Sequence, residues 1–171
     1  MNNKPIGVFD SGLGGLTVVK EIIKLLPHED IVYLGDTARV PYGTRSVATI
    51  KKFSLGNTEF LLKKNVKCIV IACNTSSAVA TTFLKKRFKK ILFFEVISPA
   101  CFAAVLMAKN RKIGVIGTRA TIASHAHLRE ITRINKSIQV FEKACPLFVS
   151  FIEEGEISGN LVNSLVYKYL K

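Results

Sequence analysis

The chain has 171 residues, of which 49% are hydrophobic and 22% charged, so one compact domain or one lobe with part of a second is expected, and a large multidomain protein is excluded. Its net charge is +13, but the basic excess is spread along the chain: 15 basic and 7 acidic residues over 1–97, and 10 and 5 over 98–171. Such a distribution, with no basic arm and no aromatic residues interleaved with basic ones, favours solubility. Nucleic acid is therefore not expected as a partner.

Short runs rich in β-branched residues alternate with longer amphipathic segments along the whole chain. Strands are predicted at 6–9, 31–34, 68–72, 91–94, 113–116 and 138–141. Helices are predicted at 15–26, 46–64, 77–88, 99–108, 121–134, 146–154 and 158–169. Apolar strands joined by helical crossovers are typical of a parallel sheet covered on both faces, so we predict a doubly wound α/β fold.

Two similar lobes are predicted, because residues 6–10 and 113–117 both have the pattern of a strand that enters a turn. A proline just after the fourth strand places the boundary there, with a first lobe over 1–97 and a second over 98–171. The first residues contain no signal-peptide pattern, and the apolar runs are shorter than the roughly 18 to 20 residues that span a bilayer. A cytoplasmic protein without membrane contact is expected.

The four cysteines show neither a CxxC pair nor any other metal-ligand spacing, so no metal is expected. Cys68, Cys101 and Cys145 lie in apolar segments and are predicted to be small core residues. Cys73 differs, because it follows a strand and precedes the polar run 74–77 at the start of a helix. Those neighbours are predicted to lower the thiol pKa and to produce a thiolate base or nucleophile, whereas a buried structural cysteine is the alternative.

The glycine-rich turn at 12–15 is the second candidate, because ligands of open α/β sheets bind beyond the carboxyl ends of the strands. Thr17 stands where a dinucleotide-binding turn has its third glycine, and no Gly-Lys-Ser/Thr follows, so neither nucleotide motif is present. The turn presents Asp10 either to a ligand or as a cap of the following helix. The three histidines do not suit a Cys–His hydrolase, and a carboxylate beside a thiolate better matches proton abstraction from carbon.

Six stretches of the chain carry a family resemblance. They are IGVFDSGLGGL at 6–16, YLGDTARVPYG at 33–43, IACNTSSA at 71–78, IGVIGTRAT at 113–121, ACPLFV at 144–149 and EEG at 153–155. With these motifs the sequence resembles the aspartate/glutamate racemase family, and most closely its glutamate-specific members. The resemblance covers essentially the whole chain.

The resemblance implies a cofactor-independent racemase that interconverts L- and D-glutamate and supplies D-glutamate for peptidoglycan, and hence for cell-wall biogenesis and cell shape. Two cysteines then act on opposite faces of the substrate Cα, one as thiolate base and one as thiol acid. It also implies a homodimer. The catalytic residues it implies are Cys73, assisted by Asp10, and an acidic assistant at Glu153 or Glu154. The substrate-binding residues it implies are Asp10, Ser11, Tyr42, Gly43, Asn74, Thr75, Thr118 and Thr121.

In one respect the sequence departs from the family pattern. The second catalytic cysteine of the family lies in a Gly-Cys-Thr-His motif, and no Cys-Thr-His occurs in these 171 residues. We therefore expect the second lobe to be incomplete and this polypeptide alone to racemise little or not at all. The alternative is a non-catalytic protein that binds a small carboxylate or a polyanion.

Overall fold

The computed structural model describes residues 3–171, which form an α/β protein with six strands and eight α-helices within that range. The strands are β1 (Ile6–Asp10), β2 (Ile31–Gly35), β3 (Cys68–Ile71), β4 (Leu92–Glu95), β5 (Lys112–Gly117) and β6 (Gln139–Ala144). The helices are α1 (Leu16–Leu25), α2 (Val47–Lys63), α3 (Asn74–Arg87), α4 (Ile97–Met107), α5 (Arg119–Ala123), α6 (Ala126–Ile134), α7 (Leu147–Glu153) and α8 (Asn160–Leu170). Two short 3-10 helices, Thr37–Arg39 and Tyr42–Thr44, follow β2.

The strands form two parallel sheets. The first has the order β2-β1-β3-β4, and the second pairs β5 with β6. Helices join successive strands in each sheet, which is the connection that parallel neighbours require. The predicted α/β class with parallel sheets is confirmed. Helix α4 links the two sheets, and the boundary between 97 and 98 remains a prediction.

β1 lies in the middle of the first sheet, and all five of its residues are buried. On one face Phe9 packs with Leu61 of α2 and Leu84 of α3, while on the other Ile6 and Val8 pack against α1. This two-sided burial explains why the strand is almost continuously apolar. It also fixes the carboxyl end of β1, where Asp10 stands, at the centre of the sheet edge.

Several element ends differ from the sequence prediction, β6 for example extending to Ala144, and two of the helix differences have a visible cause. α3 begins at Asn74 rather than at 77, because the Cys73 side chain accepts a hydrogen bond from the backbone N–H of Ser76 and so caps the helix. The single helix predicted over 121–134 is divided into α5 and α6 at His125, whose backbone has a left-handed φ of 52°. Side chains are rarely tolerated there, and the helical periodicity carried no sign of the break.

Of the cysteines predicted to be core residues, Cys101 and Cys145 are buried and Cys68 is half-buried. Cys101 belongs to the core beneath the second sheet, with Ile97, Val115 and Ile131. Over residues 3–171 no helix combines the length and the apolar character needed to cross a membrane.

Candidate functional site

A cavity of about 360 Å³ lies at the carboxyl edge of the first sheet. The turns after β1 and β3 form its floor, and the 3-10 helix Tyr42–Thr44 forms one wall. Thr118 after β5 and helix α7 close it from the side of the second sheet. Nine residues predicted from the sequence line it, namely Asp10, Ser11, Tyr42, Gly43, Cys73, Asn74, Thr75, Thr118 and Glu153. Thr121 lines an adjoining cavity that shares Asn74 and Thr118, while Glu154 lines neither.

Cys73 is only 3% exposed and is the one cysteine lining the main cavity among the described residues. Its thiol donates a hydrogen bond to Ser11 Oγ at 3.3 Å and accepts one from the N–H of Ser76 at 3.4 Å. The predicted fall in its pKa is wrong, because burial and the negative charge of Asp10 raise the pKa of this thiol above its ordinary value. In the deprotonated form the Ser11 hydroxyl donates to the sulfur instead of accepting from it, and together with Ser76 it stabilises the thiolate. These hydrogen bonds oppose the rise in pKa without overcoming it.

Asp10 holds the glycine-rich turn in place and also lines the cavity. Its Oδ2 accepts hydrogen bonds from the backbone N–H of Gly12 at 3.2 Å and of Gly15 at 2.9 Å, which orders the turn before α1. The same buried carboxylate lines the cavity. Gly15 is required here, since a Cβ on it would lie 2.6 Å from the Cβ of Asp10. The turn thus holds a negative charge near the Cys73 thiol.

Tyr42 lines the cavity, but its hydroxyl is committed elsewhere. It donates a short hydrogen bond to Asp36 Oδ2 and accepts one from Asn57 Nδ2 at 2.9 Å, and all three residues are buried. Arg39 completes the network by donating to Asp36 at 2.8 Å and to Asn57 at 3.2 Å. Burial and the hydrogen bond to Asp36 raise the pKa of Tyr42. Its ring and backbone are therefore what it offers to a ligand.

Three threonine hydroxyls join the two sheets. Thr75 Oγ1 lies 3.1 Å from Thr118 Oγ1 and 3.2 Å from Thr121 Oγ1, and the latter two are 2.9 Å apart. Thr118 also caps α5 by accepting from the N–H of Thr121. Gly43 packs so tightly against Thr118 that a Cβ at position 43 would overlap the threonine side chain. These contacts bring hydroxyl groups from both sheets to one wall of the cavity.

Glu153 reaches the cavity from the end of α7. Its carboxylate lies against the bare Cα of Gly12, where a Cβ would overlap it. Val149 and Ile152 of the same helix also line the cavity. Together with Asp10, this places two carboxylates around the cavity that contains the Cys73 thiol.

The sequence did not predict several residues that do not line the cavity but form hydrogen bonds with residues that do, or with the turn beside them. Asn57 lies within α2, and its only signal was a polar side chain on the core face of an otherwise amphipathic helix. Arg39 and Asp36 belong to a motif carried by the resemblance, but nothing local predicted the hydrogen bond from Arg39 to Asn57 across 18 residues. Tyr33, whose hydroxyl donates to the carbonyl of Gly12 at 2.8 Å, looked like an ordinary strand residue.

Proteins of known family are similar to this chain over most of its length. The family model described as Asp/Glu/Hydantoin racemase matches residues 6–160. Glutamate racemase from Geobacter metallireducens is 47% identical over 167 residues, which cover 98% of this chain and 62% of the relative. The structure of glutamate racemase from Francisella tularensis in complex with D-glutamate has a TM-score of 0.88 at 47% identity, with 99% of this chain and 64% of that one covered.

The glutamate racemase from Aquifex pyrophilus has a TM-score of 0.84 at 49% identity, over 97% of this chain and 65% of that one. The chain therefore spans a little under two thirds of the length of these relatives. Their structures share its α/β architecture with parallel sheets. On the family match, which extends over most of its length, the chain belongs to the Asp/Glu/Hydantoin racemase family.

Proposed function

We propose that this chain carries one half of a cofactor-independent glutamate racemase site, in which Cys73 exchanges a proton with the substrate Cα. The observation that carries this proposal is the buried Cys73 thiol, which faces the cavity between Ser11 and the start of α3 and has Asp10 as a charged neighbour. The Francisella tularensis relative, whose structure contains D-glutamate, supports glutamate as the substrate.

The proton transfer follows from the charges around the sulfur. With the cavity empty, burial and Asp10 favour the thiol, which is the form that donates a proton to a carbanion. A bound amino acid brings an ammonium group, and its positive charge near Asp10 offsets the effect of the carboxylate on the thiol. The thiol then gives its proton to solvent more often. The resulting thiolate removes the α-proton and becomes the thiol again, and the electron pair of the C–H bond stays on the substrate.

The polar lining provides the groups that hold the substrate. In this proposal Ser11, Asn74 and Thr75 bind its carboxylate or amino groups, and the Tyr42–Gly43 segment flanks it through backbone and ring. Thr118 and Thr121 add contacts from the second sheet, and Glu153 of α7 is an acidic assistant. Helix starts and hydroxyl donors of this kind are suited to a carboxylate.

The test is exchange of the α-proton in deuterated water. The 171-residue polypeptide is incubated separately with L- and D-glutamate, and deuterium at Cα is followed by mass spectrometry while a chiral assay follows inversion. Because Cys73 is the single thiol lining the cavity among the described residues, we expect deuterium uptake from one enantiomer with retained configuration. Cys73→Ala should abolish uptake. Cys68→Ala is the matched control, since Cys68 begins β3, the strand that Cys73 follows, and does not line the cavity. Uptake that survives Cys73→Ala would refute the proposal.

The proposal also covers the lobe boundary, the cellular location and assembly of the protein, and the use of its product. The lobes divide at 97 and 98, so that the Cys73 site belongs to the first lobe. The protein acts in the cytoplasm as a homodimer, and D-glutamate from its reaction is used for peptidoglycan and so for cell shape. The similarity to glutamate racemases supports the last statement, and sedimentation of the purified protein tests the homodimer.

A further inference from the structure

The carbonyl of Gly12 is held from two sides. Tyr33 donates its hydroxyl hydrogen to this oxygen at 2.8 Å across 21 residues of sequence. On the other side the bare Cα of Gly35 makes room for it, since a Cβ there would lie 2.6 Å from the same oxygen. Both contacts come from β2, next to β1 in the sheet. The position of this peptide is therefore set by the neighbouring strand as well as by its own turn.

The same residue, Gly12, neighbours each acidic group of the candidate site. The N–H of Gly12 donates to Asp10, and the Glu153 carboxylate lies against its Cα. Ser11, which precedes it, accepts the hydrogen bond of the Cys73 thiol. Displacement of the Gly12 carbonyl would therefore turn Ser11 relative to the sulfur. Burial, together with the charges of Asp10, Glu153 and Cys73, raises the pKa of Tyr33 to about 12, so this hydroxyl remains a donor at neutral pH.

We infer that Tyr33 is a positioning residue, whose hydroxyl holds the Gly12 carbonyl and thereby keeps Ser11 against the Cys73 thiol. Tyr33 does not line the cavity, so it acts through the turn and not on the substrate. This inference deepens the proposed function and rests on Cys73 as the reacting group. The measurement chosen for it reports on the thiol itself and does not require turnover.

The test is the pH dependence of Cys73 alkylation by iodoacetamide, resolved by peptide mapping, with Cys101 as an internal reference. Tyr33→Phe removes one oxygen and keeps the ring. Once the thiol proton has left, the Ser11 hydroxyl donates to the sulfur, and this hydrogen bond lowers the pKa of Cys73. Because Tyr33→Phe should weaken it, we expect the profile of Cys73 to move to higher pH and its alkylation at pH 8 to slow by roughly threefold, as a half-unit rise in pKa would give. Cys101 should not change. Tyr167→Phe, on exposed α8, is the matched control and should behave as the unmodified protein.

A double variant distinguishes an effect of Tyr33 that acts through Ser11 from a general loosening of the site. Ser11→Ala removes the hydroxyl directly, so Tyr33→Phe should have no additional effect in that background. A Cys73 profile unchanged by Tyr33→Phe, or full additivity of the two variants, overturns the inference. If Tyr33→Phe does not fold, Gly35→Ala pushes on the same carbonyl from the other side and should move the profile in the same direction. An unchanged profile in that variant would likewise overturn it.

Discussion

The carboxylate of Glu153 lies where a Cβ on Gly12 would stand, and this close contact joins α7 to the turn after β1. Gly12→Ala should therefore displace Glu153 from the cavity, and we expect α-proton exchange to slow by at least about tenfold, since small displacements of catalytic groups have effects of that size. Gly114→Ala is the control, because nothing lies within 4 Å of a Cβ there. The contact has no functional role if Gly12→Ala exchanges the proton at the normal rate.

The second prediction concerns the pH dependence of stability. The pKa of the Cys73 thiol is raised on folding, so the folded state retains the proton at pH values where the unfolded thiol has lost it. The stabilisation from this group is fully present below the unfolded pKa of about 8.5 to 9 and is lost as the pH rises further. The free energy of unfolding should thus fall more steeply above pH 9 in the unmodified protein than in Cys73→Ala. Urea denaturation at pH 7 to 10 measures both, and parallel curves would contradict the prediction.

Features that depend on residues close together in the sequence were predicted, whereas contacts between residues far apart in the sequence were not. The six strands were located from local apolar runs, and Asp10, Ser11 and Cys73 from their places at strand ends, because parallel strands bring those ends to one edge. The thiol pKa was predicted in the wrong direction, since the helix start was visible in the sequence but the complete burial of the sulfur was not. The contact of Tyr33 with Gly12 had no local signal.

The third prediction tests the network behind Tyr42. Tyr42→Phe removes the hydroxyl that donates to Asp36 and accepts from Asn57, and it leaves two buried polar groups with one partner fewer. We expect a loss of about 1 to 3 kcal/mol in the free energy of unfolding, which is the usual cost of such groups. Tyr167→Phe is the control on an exposed side chain, with an expected change within about 0.5 kcal/mol. Equal stabilities of the two variants in urea would show that the network contributes little.

The last prediction concerns the junction of the two sheets. Gly43→Ala places a Cβ inside the Thr118 side chain. Thr118 cannot easily move away, because its hydroxyl is held by those of Thr75 and Thr121. We expect the two sheets to move apart at this junction, with a loss of about 1 to 3 kcal/mol in the free energy of unfolding, as for other overpacked sites. Binding of D-glutamate should also weaken, because Gly43 and Thr118 both line the cavity. Gly56→Ala is a control of opposite sign, since position 56 lies in α2 with open space around it and alanine there should stabilise by about 0.5 to 1 kcal/mol. Thr118→Gly removes the overlapping side chain but also its own hydrogen bonds, so the comparison is a double-mutant cycle. Gly43→Ala should cost less stability in the Thr118→Gly background than in the unmodified protein, and an equal cost in both would show that the loss arises elsewhere.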